Sequence, residues 1–126
     1  MIIAVDFDGT CVEHEYPTIG ENVPGAVSVL RALVANGHQI ILWTMRDEGY
    51  LRDAEYWFEC HGIPLFGVNR NPEQHWSASP KAYANLYIDD AAVGCPLMPG
   101  RVGDRPMVDW ALLLPILDAR AWGEII

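Results

Sequence analysis

Four places in this 126-residue chain hold side chains suited to chemistry on an anion: Asp6-Phe7-Asp8-Gly9-Thr10, Thr44, Lys81 and Asp89-Asp90. Carboxylates crowded together without a cation raise one another's pKa and cost stability. A hard divalent cation with oxygen ligands removes that cost, and Mg²⁺ takes one or two carboxylates plus substrate phosphate oxygens. The Lys81 ammonium and the Thr44 hydroxyl supply the charge and the donor that a phosphoryl group needs. Gly9 lets backbone N–H groups come close to an anion. A carboxylate at Asp6 can attack phosphorus to form an acyl phosphate. A second carboxyl two residues on, Asp8, can protonate the leaving oxygen and then activate water against that intermediate.

Such groups act together only if the fold collects them. Ile2 to Asp6 is an apolar run ending in acid, which predicts a buried strand. Pro24 suits a helix start, Val27, Leu30, Leu33 and Val34 keep helical spacing, and Gly37 marks the stop. Residues 39–43 predict a second strand ending at Thr44, and a helix is expected from about Asp47 to His61. Residues 65–68 and 86–88 predict two further strands, separated by a polar loop over 69–80, and residues 106–121 carry a last helical pattern, bent at Pro115. Alternating strands and helices imply a Rossmann-like, three-layer α/β sandwich: a central parallel sheet with helices on both faces. Ligands bind such sheets beyond the carboxyl ends of the strands, where the acids stand.

Composition narrows the partners. The length suits one domain over residues 1–126, and a hydrophobic share of 51% supplies a core. No apolar run is long enough to span a bilayer, and the amino-terminal residues read as a strand rather than a signal peptide, so the cytoplasm is expected. A formal net charge of −9 with no Lys/Arg cluster disfavours nucleic acid. The three cysteines, Cys11, Cys60 and Cys95, have no metal-ligand spacing and fit a reducing compartment.

On these motifs in this order the chain resembles the haloacid dehalogenase-like (HAD) superfamily of phosphotransferases. Asp6-Phe7-Asp8-Gly9-Thr10 is similar to its DxDGT signature, residues 40–44 to its apolar strand ending in Ser/Thr, Lys81 to its lysine, and Asp89-Asp90 to its terminal acidic pair. The resemblance implies a Mg²⁺-dependent phosphatase with Asp6 as nucleophile, Asp8 as general acid/base, and Thr44 and Lys81 on the phosphoryl group. It also implies a metal held by Asp6, the Asp8 carbonyl and the Asp89/Asp90 pair, with Asp90 as direct ligand and Asp89 in support. The intervals between motifs leave no room for a large cap domain, so residues 11–23 are expected to form a short flap.

Other residues are weighed beside these. Gly9, Thr10, Arg46, Asn69 and Arg70 are candidate substrate contacts, with Arg46 meeting a second anionic group or pairing with Asp47 or Glu48. His14 lies in the flap, as readily solvated as in contact, while Trp43 reads as packing. Trp76 and Trp122 are expected to serve a homo-oligomer that lids an open site around a small phosphorylated substrate. Two competing readings are an inactive phosphate-binding module of the same fold and a receiver-like phosphoacceptor domain. The second places its acidic pair first and its phosphorylated Asp later, the reverse of the order here.

Overall fold

In the computed structural model, which describes residues 1–101, 103 and 105–120, four parallel strands end at one edge of a sheet. They are β1 (Ile2–Val5), β2 (Gln39–Leu42), β3 (Gly67–Val68) and β4 (Leu86–Ile88), in the spatial order β3-β2-β1-β4. The register pairs Val5 with Leu42 and with Ile88, and Leu42 with Val68. One residue further along each strand, Asp6 therefore stands beside Trp43 and Asp89, with Asn69 beyond Trp43. Helices α1 (Ala26–Ala35) and α2 (Glu48–Cys60) connect β1 to β2 and β2 to β3. After β4 the chain forms a hairpin of β5 (Leu97–Met98) and β6 (Met107–Val108), then α3 (Trp110–Arg120).

The period-two alternation of the strands separates two clusters. Ile3, Val5, Ile40, Leu42, Leu86 and Ile88 point to one face, where they meet Leu30 and Leu33 of α1, Trp57 and Phe58 of α2, and Trp110, Leu113 and Leu117 of α3. Each fully buried aliphatic or aromatic side chain there contributes about 1.5–3 kcal/mol. The opposite face carries Ala4 and Ile41, covered by Ala84 and flanked by Ile2, Trp43 and Phe66.

The expected three layers are thus corrected: every described helix contributes its buried residues to one face. Topology gives the reason. The steps β1→β2 and β2→β3 move in one direction, so right-handed crossovers place α1 and α2 on the same side. The return from β3 across the sheet to β4 belongs on the other side, and its residues 69–85 contain no helix. The fold is a small α/β domain whose second face is closed by loop.

The predicted elements differ mainly at their ends. β3 is shorter than the expected 65–68, although the Phe66 N–H still donates to the Ile40 carbonyl at 2.7 Å. The last helix starts at Trp110, since residues 107–108 pair with β5, and Pro115 lies inside it; residue 121 lies outside the described residues. None of the described helices is long and apolar enough to cross a membrane.

Candidate active site

The loop after β1 is built as a tight set of turns. The N–H groups of Thr10, Cys11 and Val12 all donate to the Phe7 carbonyl, and that of Gly9 donates to Val12 at 2.7 Å. Gly9 takes φ +86°, and a Cβ there would collide with His14 and Asp90. From behind, Val108 of β6 donates to the Gly9 carbonyl at 2.9 Å, and the Trp110 indole donates to the Thr10 carbonyl at 2.8 Å. The expected flap begins there: Val23 donates to Cys11 and Glu13 to Glu21, closing residues 13–21 into a loop. Glu13 is 2% exposed and accepts from the Arg101 backbone at 2.7 Å and its Nε at 2.9 Å, which hold its carboxyl below the usual range.

At the sheet edge Asp6, Asp89 and Asp90 converge, with a carboxylate oxygen from each within 4.8 Å of the others. Burial, the hydrogen bond with Asp90 and the charges of Asp89 and Asp90 push the Asp6 carboxyl up to about 8, against the pull of Thr10. Burial also raises Asp89. Three oxygen donors that resist shared ionisation fit a hard divalent cation, whose charge would remove the repulsion. Asp90 is held by His14, whose Nε2 lies 2.8 Å from Oδ2, and Asp89 Oδ1 accepts from Ala91 at 2.9 Å.

Thr10 is fully buried; its hydroxyl donates to Asp6 Oδ2 at 3.0 Å and accepts from the Asp90 N–H at 3.3 Å. It orients the acids and has no surface for a substrate, which corrects its expected role. The Gly9 N–H, bonded to Val12, likewise does not face an anion. In the loop that follows Asp6, the N–H groups of Phe7 and Asp8 have no partner among the described residues. Cys11, fully buried, has a thiol that burial and then Asp6 and Asp8 push well up, so it is inert as a nucleophile.

Asp8 is drawn to Arg46 instead of the acid cluster. Arg46 is 2% exposed, and its Nε and Nη2 donate to the two Asp8 oxygens. Its remaining N–H groups reach the carbonyls of Pro17, Thr18 and Tyr50. The rings of Phe7 and Tyr16 each lie 5.1 Å from the guanidinium carbon. All five donors of the guanidinium have acceptors, so Arg46 meets neither a second anionic group nor Asp47 and Glu48 as expected. It clamps Asp8 and ties down the flap.

Thr44 accepts the Arg46 N–H at its hydroxyl and donates its own N–H to Asn69 Oδ1 at 2.8 Å. The Thr44 hydroxyl proton therefore remains free to donate. Asn69, at φ 53°, adopts the left-handed conformation that Asn tolerates and so reaches Thr44. Asp6, Asp89, Thr44 and Asn69 share a cleft of about 330 Å³ with Trp43 and Met45. A larger groove of about 520 Å³ along residues 55–65 holds none of these groups, so chemistry and not size locates the site.

Two expected site residues lie elsewhere. Lys81 is exposed, on a loop, with its Nζ 5.3 Å from the centre of the Tyr87 ring. Arg70 is exposed and lines a separate cleft with Asn71 and Gln74. Both sit on the connection that lacks a helix, so no helical register aims them at the strand ends. Of the residues weighed more lightly, His14 is in contact, with Asp90, and Trp43 packs against the second cluster as expected while also lining the cleft; Met45 is the residue that the sequence analysis leaves out. Period-two spacing was the available signal for Trp43, which follows Ile41 on the face that Asp6 shares with Ala4. Trp76 is 71% exposed and packs edge-on against Tyr83, while Trp122 lies outside the described residues.

A solved structure described as a conserved protein from Bacteroides thetaiotaomicron is 38% identical, covering 95% of this chain and 91% of that one with a TM-score of 0.79. The chain belongs to the family of that conserved protein. A scan of protein-family models and a search of curated proteins gave no match. Membership in the family of the Bacteroides protein extends over nearly the whole chain, so the sheet edge and its loops belong to the shared fold and not to an appended segment.

Proposed function

We propose that this protein is a Mg²⁺-dependent phosphoric monoester hydrolase of the HAD type, acting through a phosphoaspartate on Asp6. The observation that carries the reading is the meeting of Asp6, Asp89 and Asp90 within 4.8 Å at the carboxyl edge of the sheet. The resemblance of Asp6-Phe7-Asp8-Gly9-Thr10 to the DxDGT signature supports it.

Asp6, Asp89 and Asp90 would hold the ion, which when bound neutralises charge between the nucleophile and the phosphoryl group. The Asp6 carboxylate, steadied by Thr10, attacks phosphorus; an acyl phosphate bond forms and the ester P–O bond breaks. The leaving oxygen takes a proton from the Asp8 carboxyl. Water then attacks phosphorus, gives its proton back to Asp8, and releases phosphate and the Asp6 carboxylate. The Asp8 N–H group and the Thr44 hydroxyl are donors available to the phosphoryl oxygens. As clamped by Arg46, Asp8 accepts on both oxygens, the arrangement suited to activating water; carrying the proton to the leaving group loosens one of these bonds. A small phosphorylated molecule in the cytoplasm, where the three free cysteines stay reduced, is the expected setting.

The test is hydrolysis of an aryl phosphate with added Mg²⁺, with EDTA, and by Asp6→Asn. Turnover that needs both the metal and Asp6 supports the reading. Metal-independent turnover, or turnover by Asp6→Asn, contradicts it. Metal-dependent phosphate binding without turnover would favour the phosphate-binding module.

A further inference from the structure

We infer that the molecule taken by this cleft carries one phosphoryl group, no second anionic group, and an aromatic ring that lies against Trp43 and Met45. The inference rests on the phosphatase reading and gives it a substrate class.

The first observation is where the cations are. The chain has eight Lys and Arg residues, and none of them lines the cleft with Asp6 and Asp89. Two of them directly follow a cleft residue: Arg46 has each of its five N–H groups on an acceptor, and Arg70, exposed after Asn69, lines a separate cleft with Asn71 and Gln74. Lys81 sits over Tyr87, and Arg101 pairs with Glu13 and Glu21. A phosphoryl group can be met by a bound cation and the donors beside Asp6. A second phosphate or carboxylate would find no protein cation in the lining of the cleft and would face the field of Asp6, Asp8, Asp89 and Asp90.

The second observation is the wall of the cleft. Strand register places Trp43 directly beside Asp6, and Met45 is 98% exposed although it is large and apolar. Packing gives Met45 no reason to be there, since it touches neither core cluster. An indole face next to an adaptable thioether suits a flat ring. A cleft of about 330 Å³ has room for a phosphoryl group and one ring system.

The experiment titrates the full chain with phenylphosphonate, methylphosphonate and phosphonoacetate in Mg²⁺ by calorimetry, and measures hydrolysis of phenyl, methyl and carboxymethyl phosphates alongside. Phenylphosphonate is expected to bind about tenfold tighter than methylphosphonate, and phosphonoacetate more weakly than either. Met45→Ala, which removes an exposed side chain and no packing, and Trp43→Leu should each shrink the phenyl-to-methyl ratio by about threefold. Equal binding of the two phosphonates, tighter binding of phosphonoacetate, or no binding of any overturns the inference. Ring preference without hydrolysis of any ester supports the ring site and contradicts the phosphatase reading. Hydrolysis without ring preference does the reverse.

Discussion

Arg46 grips Asp8 by both carboxylate oxygens at 2.8 Å, from a side chain only 1% exposed. The same guanidinium reaches the Pro17 and Thr18 carbonyls, so the carboxyl two residues after Asp6 and the tip of the flap share one anchor. Removing Arg46 would leave a partly buried carboxylate and the Pro17 and Thr18 carbonyls without these donors. Arg46→Met should lower stability by about 2–4 kcal/mol in urea unfolding. Arg46→Lys should recover only part of that loss, because an ammonium cannot serve the same planar set of acceptors. A stable Arg46→Met protein would contradict the clamp.

Asp8 itself should matter to the chemistry more than to the fold. Asp8→Asn should slow hydrolysis by about 10²–10⁴-fold, the range for a group that moves protons in the transition state. Steady-state kinetics on an aryl phosphate provides the check, and an unchanged kcat would remove Asp8 from the mechanism.

The Asp6 carboxyl has an ordinary value of 3.8 and is pushed up to about 8 in the folded chain without metal. A carboxyl raised on folding binds its proton more tightly in the native state than in the unfolded one. Its contribution to stability is full below the unfolded value and is lost as pH rises toward about 8. Metal-free protein should therefore lose Tm across that window, and Asp6→Asn should be more stable than the parent at its alkaline end. Thermal melts in EDTA at several pH values test this; parallel curves for the two proteins would contradict it.

Metal should compete with that proton. Mg²⁺ binding near neutral pH should release protons, and its affinity should climb with pH until Asp6 is ionised. Calorimetry in buffers of different ionisation enthalpy reads the proton release directly. Asp6→Asn should bind Mg²⁺ with less proton release as well as more weakly.

Gly9→Ala places a side chain at φ +86° against His14 and Asp90. Stability should fall by about 1 kcal/mol or more from the backbone alone, and Mg²⁺ affinity should fall further because Asp90 is displaced. Retained affinity in a folded variant would show that Asp90 is dispensable.

The sequence made the strand ends legible and the face of the sheet illegible. Residues 86–88 were read as β4 with the bounds the structure has, and Asp6, Thr44 and Asp89-Asp90 follow strands whose apolar runs stand out. Periodicity shows that α1 and α2 each have one apolar stripe, yet says nothing of which side of the sheet receives it. Crossover handedness decides that, together with the helix-free return to β4. The site divided in the same way. Carboxylates at strand ends declare themselves by type and position, whereas the guanidinium of Arg46 looked equally suited to a substrate. Only the carbonyls of Pro17, Thr18 and Tyr50, backbone groups invisible to residue type, showed its donors already taken. The Lys81 expectation came from motif order, and a lysine on an irregular loop is not aimed by a strand or helix.

The central claim is a phosphoryl group carried transiently by Asp6. Protein mixed with Mg²⁺ and a radiolabelled aryl phosphate, then quenched in acid, should retain a label that maps to the peptide containing Asp6 and is released by hydroxylamine. The label should be missing from Asp6→Asn. Turnover of the same substrate with no protein-bound label, and at an undiminished rate in Asp6→Asn, would contradict the account.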